Sequence, residues 1–567
     1  MTKEERLADA LNALSQAGLI QRPTKAGVRV FSGELATNKG PVKVEFRLEN
    51  IEFTSYPSIR IVDRPAFIPR LTPHVDLFGG ICYFAEGAVV LDRYNPGGSI
   101  LLCIQAATAL LNRILADPKK AYEEALDEFL TYWAIGQVPV SRPVLIGEAG
   151  DGVSDAECHF IGKEPEHLVL VSNSADEVKA IASVLGGGTF TTRSVACWLF
   201  QTTRRPVLVG TGLPATIGDF FKWLKEWDAE LYKDICYRLE HDQKYLAKSA
   251  IYFIIDSPYG RFGARLALDD VHRVSLKRKP ALYKQYLHVK GQSTKVARLS
   301  VSEIGTSFIH SRNLSHGDLR SKRITVVGCG SIGGYVAQGL VRLGAGTGVG
   351  GLLTLVDPDS LGSENLGRHC LGLGYLFKDK AVGLRDELLH QFPCAKIEAN
   401  VGSARPLAAL FNEHLIVNAT GEEAVSEMLN EYHVRRMQAG GRRSAEVVHT
   451  WIKGAGECVQ ALWVDSLKFA CYRCRKNPDA PPNKSERHKV LKAETQLKFV
   501  GCQAVTPYAV SAPMSAAALV LDMTAAWING DVSPRFRTRA VETADVFKVP
   551  NKDLDRIDGC PACSTKS

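Results

Sequence analysis

The chain has 567 residues, of which 45% are hydrophobic and 23% charged, and a formal net charge of +8, which is ordinary for a globular protein of about three to four domains. Its basic clusters are short and lack interleaved aromatic residues, so we expect no direct nucleic-acid binding. The charged N-terminus is unlike a signal peptide and no stretch approaches the roughly 18 apolar residues that span a membrane, so we expect a cytoplasmic protein with reduced cysteines.

Residues 1–140 are predicted to form an α+β domain. A helix at 4–17 precedes alternating strand patterns at 27–35, 42–48 and 59–62, and an amphipathic helix follows at 100–115. In the sequence T-P-H-V-D-L-F-G-G-I-C between them, Cys82 follows a proline-fixed turn. A thiol on such an irregular segment can accept an acyl group while the turn supplies oxyanion donors. The alternative is that Cys82 is a small buried hydrophobic residue.

This segment resembles the active site of ubiquitin-conjugating enzymes, in which a His-Pro-Asn turn precedes Gly-x-Ile-Cys. Here Thr72-Pro73-His74 occupies the turn, so His74 stands where that family has its oxyanion-stabilising asparagine. Tyr94-Asn95-Pro96 stands where Trp-x-Pro is usual. The resemblance implies a ubiquitin-conjugating-like fold and a catalytic role for Cys82. The sequence leaves the role of His74 open, although a histidine there would be sensitive to pH.

Residues 141–305 are predicted to form an α/β module that links the two ends of the chain. Strand patterns occur at 143–148, 167–171, 206–210 and 250–255, and helical patterns at 175–185 and 217–239. The cysteines of this module have no metal-ligand spacing and are expected in its core. We expect a spacer or docking surface, without chemistry of its own.

A phosphate-binding turn is predicted near residue 328. The run I-T-V-V-G-C-G-S-I-G-G places Gly328, Gly330 and Gly333 between a buried strand and a helix. The first glycine allows the sharp turn, the second lets backbone N–H groups approach a phosphate, and the third lets the helix pack closely. The positive end of the helix then faces the nucleotide.

The next strand ends at Asp357, where a Rossmann protein places the carboxylate that binds ribose. A dehydrogenase would fit this much. Asn365, Arg368 and Lys380 follow, and these two cations and one amide favour a triphosphate whose pyrophosphate leaves. These motifs resemble the adenylation domain of ubiquitin-activating enzymes and ThiF-type sulfur-carrier activators.

That resemblance implies that Asp357 holds the ribose of ATP, that Asn365 and Arg368 hold the triphosphate, and that Lys380 holds the phosphates during attack by a carboxylate. It also implies Mg²⁺. The acidic residue that usually follows the next strand in this family is replaced by Gly421, so Glu422 and Glu423 are the open alternatives for a magnesium ligand.

Two cysteine pairs predict a structural Zn²⁺ site. Their spacing, C-x-x-C twice, suits a tetrahedral set of four thiolates, and the members are Cys471, Cys474, Cys560 and Cys563. Such a site would pin the C-terminal tail to the rest of the adenylation domain.

Cys502 is the candidate acyl-accepting thiol of this domain. It lies between a glycine and a proline ahead of a small-residue helix, a setting that favours thiolate, and it matches the crossing segment on which activating enzymes carry their cysteine. Cys329 and Cys370 are rivals. Arg312 resembles weakly an arginine that this family donates across its dimer, and an exposed surface arginine is the alternative.

The expected fold class is therefore multidomain α/β, with a ubiquitin-conjugating-like domain at 1–140, a linking α/β module at 141–305 and a Rossmann-like, ThiF-type adenylation domain at 306–567. Chains of this order resemble the activating and conjugating fusion proteins of bacterial CBASS anti-phage operons. That resemblance implies a homodimer through the adenylation domain and a thioester relay from Cys502 to Cys82. It also implies ligation of the C-terminal tail of a cGAS-like nucleotidyltransferase to a target amine.

Two other functions stay open at this point. The chain would be a sulfur-carrier activator if the N-terminal domain only docks a partner. It would be a nonenzymatic NAD-binding or partner-binding protein if the glycine turn serves no adenylation.

Overall fold

The computed structural model describes the chain over 19 ranges. These are residues 2–23, 28–69, 72–76, 78–134, 144–148, 154–162, 168–192, 195–207, 213–267, 269–279, 282–312, 314–404, 407–440, 444–481, 485–493, 495, 498–500, 503–542 and 544–564.

The chain forms two compact units. The first contains Met1–Leu145, Gly150–Phe160 and Thr192–Ser302, and the second contains Ile146–Ala149, Ile161–Thr191 and Glu303–Ser567. The predicted boundaries after residues 140 and 305 stay a prediction.

The N-terminal elements are α1 (Lys3–Gln16), β1 (Ile20–Arg22), β2 (Arg29–Thr37), β3 (Gly40–Leu48), β4 (Ser58–Ile61), α2 (Pro96–Ala116), α3 (Pro118–Asp127) and α4 (Phe129–Ala134). They include the two helices and three strands expected from the sequence, in the expected order, together with β1, α3 and α4, which were not expected. The four strands form one antiparallel sheet in sequence order. Thr2 caps α1 in a reciprocal pair with Glu5, and Asn95 caps α2 just before Pro96, so both helices begin where their capping residues dictate.

The elements that follow are β5 (Val144–Ile146), β6 (Ser154–Ala156), β7 (Cys158–Ile161), β8 (Leu168–Val171), α5 (Ala175–Leu185), β9 (Phe190–Thr192), β10 (Ala196–Gln201), α6 (Ile217–Trp227), α7 (Ala229–His241), β11 (Ala250–Ser257), β12 (Gly260–Ala267), α8 (Asp270–Arg278), α9 (Tyr283–Gln285) and β13 (Ala297–Glu303). The single helix expected at 217–239 is divided, because Asp228 ends α6 and caps α7. In the first unit, β10 pairs in parallel with β11, and β12 pairs antiparallel with both β11 and β13. Residues 208–210 of the expected strand at 206–210 lie outside the described residues.

The second unit is built on a Rossmann-like sheet. Its remaining elements are α10 (Thr306–Ser311), β14 (Arg323–Val327), α11 (Ser331–Arg342), β15 (Leu352–Val356), α12 (Lys380–Gln391), β16 (Ile397–Asn400), α13 (Leu407–Leu410), β17 (Leu415–Asn418), α14 (Glu423–Gln438), β18 (Glu446–Lys453), β19 (Cys458–Val464), β20 (Lys498–Val500), β21 (Gln503–Val505), α15 (Ser511–Ile528) and β22 (Phe536–Ala540). The sheet order is β16-β15-β14-β17-β18-β19-β22. Neighbours from β16 to β18 pair in parallel, so the carboxyl ends of β14, β15 and β17 meet at one edge.

Two helices, α2 and α15, are long and apolar enough by length and composition to cross a membrane, which differs from the sequence-based expectation. Ile100 and Leu111 of α2 are fully buried in the N-terminal core, and Val520 and Met523 of α15 are fully buried behind the Rossmann-like sheet. Buried core helices pass the same test of length and hydropathy, so this finding is weak evidence for a membrane segment.

Candidate functional site

One cavity of about 810 Å³ lies at the carboxyl edge of the Rossmann-like sheet. Its wall includes six of the seven residues that the sequence assigns to nucleotide binding, namely Gly328, Gly330, Asp357, Asn365, Arg368 and Lys380. Such a pocket holds ligands in proteins of this topology because loops after neighbouring parallel strands converge there.

The glycine turn connects β14 to α11 with little room for side chains. Gly328 has a φ of +88°, which favours glycine, and a Cβ at Gly333 would lie 1.7 Å from the carbonyl oxygen of Gly328. Gly333 is the residue of the predicted set that does not line the cavity. Its absence of a side chain lets the first turn of α11 approach the loop, and the helix N-terminus therefore presents its free N–H groups beside the cavity.

The carboxylate of Asp357 is fixed at the end of β15. Only 5% of the residue is exposed, and its two oxygens accept backbone hydrogen bonds from Cys329 at 2.6 Å and from Asp359 at 2.8 Å. These donors are charge-assisted and hold the side chain in one orientation. The remaining lone pairs are those that ribose hydroxyls would use.

The predicted triphosphate residues also line the cavity. The Lys380 ammonium lies 2.9 Å from Asp359, while Asn365 accepts a hydrogen bond from the backbone of Gly362 at 3.0 Å. The Arg368 guanidinium lies over the ring of Tyr508, 5.0 Å from its centroid. The Lys380 and Arg368 side chains therefore lie beside the cavity, where a polyphosphate would contact them.

The two open magnesium candidates separate in the structure. Glu422 lines the cavity, whereas Glu423 pairs with Arg475 at 3.1 Å and with Lys476 at 2.9 Å. The two cations lower the pKa of Glu423 even though its burial opposes this. Glu422 is therefore the carboxylate that can face a nucleotide-bound Mg²⁺, which prefers oxygen ligands.

Cys502 lies outside the described residues. Thr506 and Tyr508, on the segment that follows it, line the nucleotide cavity. The chain just beyond Cys502 therefore reaches the nucleotide site.

The rival thiols are enclosed by protein. Cys329 is fully buried, and desolvation raises the pKa of its thiol well above the ordinary value. Burial also raises the pKa of Cys370 to about 12, and its sulfur lies against Gly334 of α11. Neither thiol is placed to ionise and attack an acyl group.

Several residues of the cavity had not been identified from the sequence, among them Tyr508, Ser331 and Thr420. Tyr508 and Ser331 contact each other through their hydroxyl groups at 3.2 Å, and Thr420 donates to Asn418 at 2.9 Å at the end of β17. Hydroxyl side chains near a strand end are too common in sequences to be singled out. The parallel sheet makes them neighbours of the glycine turn.

Cys82 is an exposed thiol on a short hairpin of the N-terminal sheet region. Its backbone N–H donates to the carbonyl of His74 at 2.8 Å, and Val75 pairs with Ile81 one step along the hairpin. Asp76 accepts from the backbone of Phe78 and Gly80 and so closes the turn. Exposure contradicts the alternative that Cys82 is a buried hydrophobic residue.

The hairpin is supported from α3 and α4, which the sequence analysis did not predict. Tyr132 donates its hydroxyl to the carbonyl of Thr72 at 2.8 Å, and both residues are buried. Glu128 contacts the His74 ring at Nδ1, at 3.0 Å, and the His74 backbone N–H at 3.3 Å. Tyr94 is 70% exposed beside the guanidinium groups of Arg6 and Arg93.

The four predicted zinc ligands meet in one buried cluster whose sulfur atoms all lie within 4.8 Å of one another. The separation is 3.8 Å between Cys471 and Cys474, 3.9 Å between Cys471 and Cys560, and 3.4 Å between Cys474 and Cys563. Tetrahedral zinc with Zn–S bonds of about 2.3 Å requires sulfur separations of roughly 3.8 Å. Asn430 donates to the Cys471 sulfur at 3.6 Å, as an outer partner of a ligand does. The residues fit Zn²⁺.

Arg312 is exposed and lies over the ring of Phe308, 5.3 Å from its centroid. It does not line the nucleotide cavity of its own chain. A role across a dimer stays a prediction.

Comparison with known proteins connects both sites to families. The ThiF family matches residues 262–548, and prokaryotic E2 family B matches residues 5–137. Among solved structures, Escherichia coli MccB with ATP is 16% identical, with 43% of this chain and 66% of that chain covered and a TM-score of 0.33.

Two curated relatives extend over nearly the whole chain. The chain is 30% identical to the ATP-dependent ubiquitin transferase-like protein Cap2 of Pseudomonas aeruginosa (strain BWHPSA011 / Pa011), over 100% of both chains. It is 23% identical to the protein of the same description from Escherichia coli (strain TW11681), over 94% of this chain and 93% of that relative. The chain therefore belongs to the ThiF-containing, ATP-dependent ubiquitin transferase-like enzymes, and it joins an activating and a conjugating domain in one polypeptide.

Proposed function

We propose that this enzyme adenylates the C-terminal carboxylate of a partner protein, carries the acyl group on Cys502 and then on Cys82, and ligates it to a target amine. The observation that supports this most strongly is the single cavity in which the glycine turn, Asp357, Arg368 and Lys380 converge. Two cations beyond the ribose carboxylate suit an adenylating enzyme, which must stabilise a departing pyrophosphate.

In the first step the partner carboxylate attacks the α-phosphorus of ATP. The P–O bond to the β-phosphate breaks, pyrophosphate leaves, and a mixed anhydride with AMP remains. Arg368 and Lys380 would bind the leaving charge, Asn365 would donate to a phosphate oxygen, and Asp357 would fix the ribose. Glu422 would hold Mg²⁺, which supplies further charge neutralisation on the phosphates when bound.

In the second step the Cys502 thiolate attacks the anhydride carbonyl and AMP leaves, giving a thioester. The Cys82 thiolate then displaces Cys502 by thioester exchange, which needs an accessible sulfur at each end. The exposure of Cys82 supports this role. Carriage of both thiols on one chain raises their effective concentration, on the order of millimolar for flexible tethers.

The order of domains also supports the finer assignments. We propose that the activated tail belongs to a cGAS-like nucleotidyltransferase of a bacterial CBASS defence operon and that conjugation takes place in the cytoplasm. We further propose a homodimer through the adenylation domain and a structural Zn²⁺ at the four-cysteine cluster.

The test uses the purified full-length chain, ATP, Mg²⁺ and a cGAS-like nucleotidyltransferase as the carboxylate partner. Nonreducing gels and mass spectrometry should show a reductant-sensitive adduct, which Cys502→Ala abolishes. Cys82→Ala should accumulate the Cys502 adduct and form no amide conjugate. Cys394→Ala, at a half-buried thiol outside both sites, is the matched control.

Each rival function predicts a different pattern. Unchanged product in Cys82→Ala would favour a sulfur-carrier activator, in which the N-terminal domain only docks a partner. An absence of ATP–pyrophosphate exchange with the carboxylate partner present would favour a nonenzymatic binding protein.

A further inference from the structure

We propose that His74 accepts the proton of the amine that attacks the Cys82 thioester, and that Glu128 positions its imidazole for this task. The inference rests on the proposed function, because it concerns the last acyl transfer at Cys82. It assigns a proton-transfer role to a residue that sequence comparison would place as an oxyanion donor.

His74 and Cys82 lie on adjoining backbone. They face each other across the hairpin, since the Cys82 N–H donates to the His74 carbonyl at 2.8 Å. Directly opposed residues of an antiparallel pair have Cα atoms about 5.5 Å apart when they share such a bond. An amine that approaches a carbonyl carbon on the Cys82 sulfur therefore arrives beside the residue that carries the imidazole.

The backbone of His74 is held in an unusual conformation. Its φ is +60°, in the left-handed region that few residues other than glycine adopt unless the surroundings enforce it. The enforcing contact is Glu128, whose Oε2 accepts from the His74 N–H at 3.3 Å. One carboxylate thus fixes both the backbone and the ring of His74.

The same contact selects the tautomer. Glu128 Oε1 lies 3.0 Å from Nδ1, so the neutral ring donates its Nδ1–H to the carboxylate and keeps the lone pair on Nε2. A base whose second nitrogen is oriented by a carboxylate is the arrangement that proton transfer in acyl chemistry requires. Nε2 is the atom that would take the proton.

The positive charge of the imidazolium that forms is also stabilised by a carboxylate of α3, the helix that ends just before Glu128. Glu124 Oε2 lies 3.9 Å from Nε2, beyond hydrogen-bond range but within reach of a charge interaction. Arg113 binds both oxygens of Glu124, at 2.6 and 2.7 Å, and these hydrogen bonds lower the pKa of that carboxyl. Among the described residues, other charged or titratable groups near the turn include Lys120, Asp76, Arg64, Arg60 and Tyr132.

In the transfer step the neutral amine nitrogen forms a C–N bond to the thioester carbonyl carbon, and Nε2 of His74 takes one proton from that nitrogen. The C–S bond breaks, and the electron pair leaves with the Cys82 sulfur as thiolate. The imidazolium then returns its proton to the thiolate or to water. No oxidant or further reactant is required.

The test loads Cys82 without ATP. Full-length enzyme is incubated with the mercaptoethanesulfonate thioester of acetylglycine, and the acetylglycyl group on Cys82 is followed by mass spectrometry, with Cys82→Ala as the loading control. Loss of the acyl group is then timed with free lysine and, separately, with hydroxylamine from pH 6 to 9. Hydroxylamine is largely unprotonated at neutral pH and has little need of a base. Lysine, with a pKa near 10.4, needs one.

His74→Asn should slow aminolysis by lysine about 100-fold or more and leave the hydroxylamine reaction nearly unchanged. Glu128→Gln should also slow the lysine reaction, though less, because it removes the carboxylate that orients the ring, and it should leave the hydroxylamine reaction nearly unchanged. His241→Asn, on the exposed face of α7, is the matched control and should change neither rate.

Equal losses with both nucleophiles in His74→Asn would overturn the proposal and indicate oxyanion stabilisation instead. Unchanged lysine rates in both variants would overturn it too. If His74→Asn does not load, or unfolds at a lower temperature than the wild type, the rates of Glu128→Gln decide: slowing of the lysine reaction alone supports the proposal, and equal losses with both nucleophiles overturn it. The chemical loading bypasses Cys502 and ATP, so these results stand apart from success or failure of the proposed relay.

Discussion

The nucleotide cavity and the Cys82 hairpin differ in how exposed their functional groups are and in what holds those groups in place. At the cavity, Asp357 is buried and its orientation is fixed by backbone donors at the carboxyl edge of a parallel sheet. At the hairpin the thiol is exposed, and side chains from α3 and α4 fix the neighbouring backbone. Charge stabilisation of a phosphate reaction benefits from a rigid and dry frame, whereas a thiol that must meet a thioester and then an amine has to stay open.

The largest effect should come from disrupting the four-cysteine cluster of the second unit, the unit that contains the nucleotide cavity. Cys474→Ser should lower zinc to well below one ion per chain and destabilise the second unit by several kcal/mol, since structural zinc in small domains contributes on the order of 10 kcal/mol. Metal analysis and urea-dependent proteolysis with mass spectrometry would measure both.

Acylation of Cys82 by the acetylglycine thioester should be unchanged in the same variant, because the hairpin belongs to the first unit. Cys394→Ser should keep its zinc. A zinc content near zero in well-folded wild-type protein would show that the cluster does not bind zinc.

A pH effect should also separate the two regions. Burial lowers the pKa of His449 to about 3 and that of His433 to about 4, so both are neutral in the folded second unit. In the unfolded chain they bind protons below about pH 6.5. The unfolded state then binds more protons than the folded state, so stability falls as the pH falls from about 6.5 towards 4.

Each of these histidines should contribute a slope of up to about 1.4 kcal/mol per pH unit, or on the order of 4 kcal/mol for the pair between pH 7 and 5. Urea-dependent proteolysis of the second unit at the two pH values would measure this. His449→Gln should roughly halve the slope, and an unaltered slope would show that the ring titrates freely.

Arg368→Ala should reduce ATP–pyrophosphate exchange about 100- to 1,000-fold, because a preorganised donor to developing charge is worth about 2.7–4 kcal/mol. Arg385→Ala is the matched control, since that guanidinium lies on the exposed face of α12 and pairs with Asp386. The acyl transfer from Cys82 to lysine should be normal in both variants. A comparable loss in the control would indicate a general electrostatic effect.

The contrast between the regions also explains what the sequence could predict. The cavity residues from Gly328 to Lys380 follow one another along one β-α-β unit and the loop that leads to the next helix, so their motifs predict that they lie together, and the structure gathers them. The Rossmann-like character of the C-terminal domain and the mixed α/β class were predicted correctly for the same reason. Tyr508 could not be found this way, because it reaches the cavity from a segment about 130 residues beyond Lys380.

The Cys82 region shows which contacts a sequence pattern cannot predict. The motif identified the cysteine, and helix α2 begins at Pro96, four residues before the position that the sequence pattern suggested. Glu128 and Tyr132 carry no motif, and their importance depends on how α3 and α4 pack behind the hairpin. Sequence patterns describe contacts within one supersecondary unit, while these contacts join segments more than 50 residues apart.

The smallest predicted effect is that of Tyr132→Phe, which removes one buried hydrogen bond to the Thr72 carbonyl and keeps the ring in place. Loss of one such bond is worth about 1 kcal/mol. It should therefore slow aminolysis of the Cys82 acyl group by no more than about fivefold and leave ATP–pyrophosphate exchange unaltered. Tyr122→Phe, on the exposed side of α3, is the control. A large loss of exchange in Tyr132→Phe would mean that the two regions are not independent, because the hairpin would then govern chemistry in the other unit.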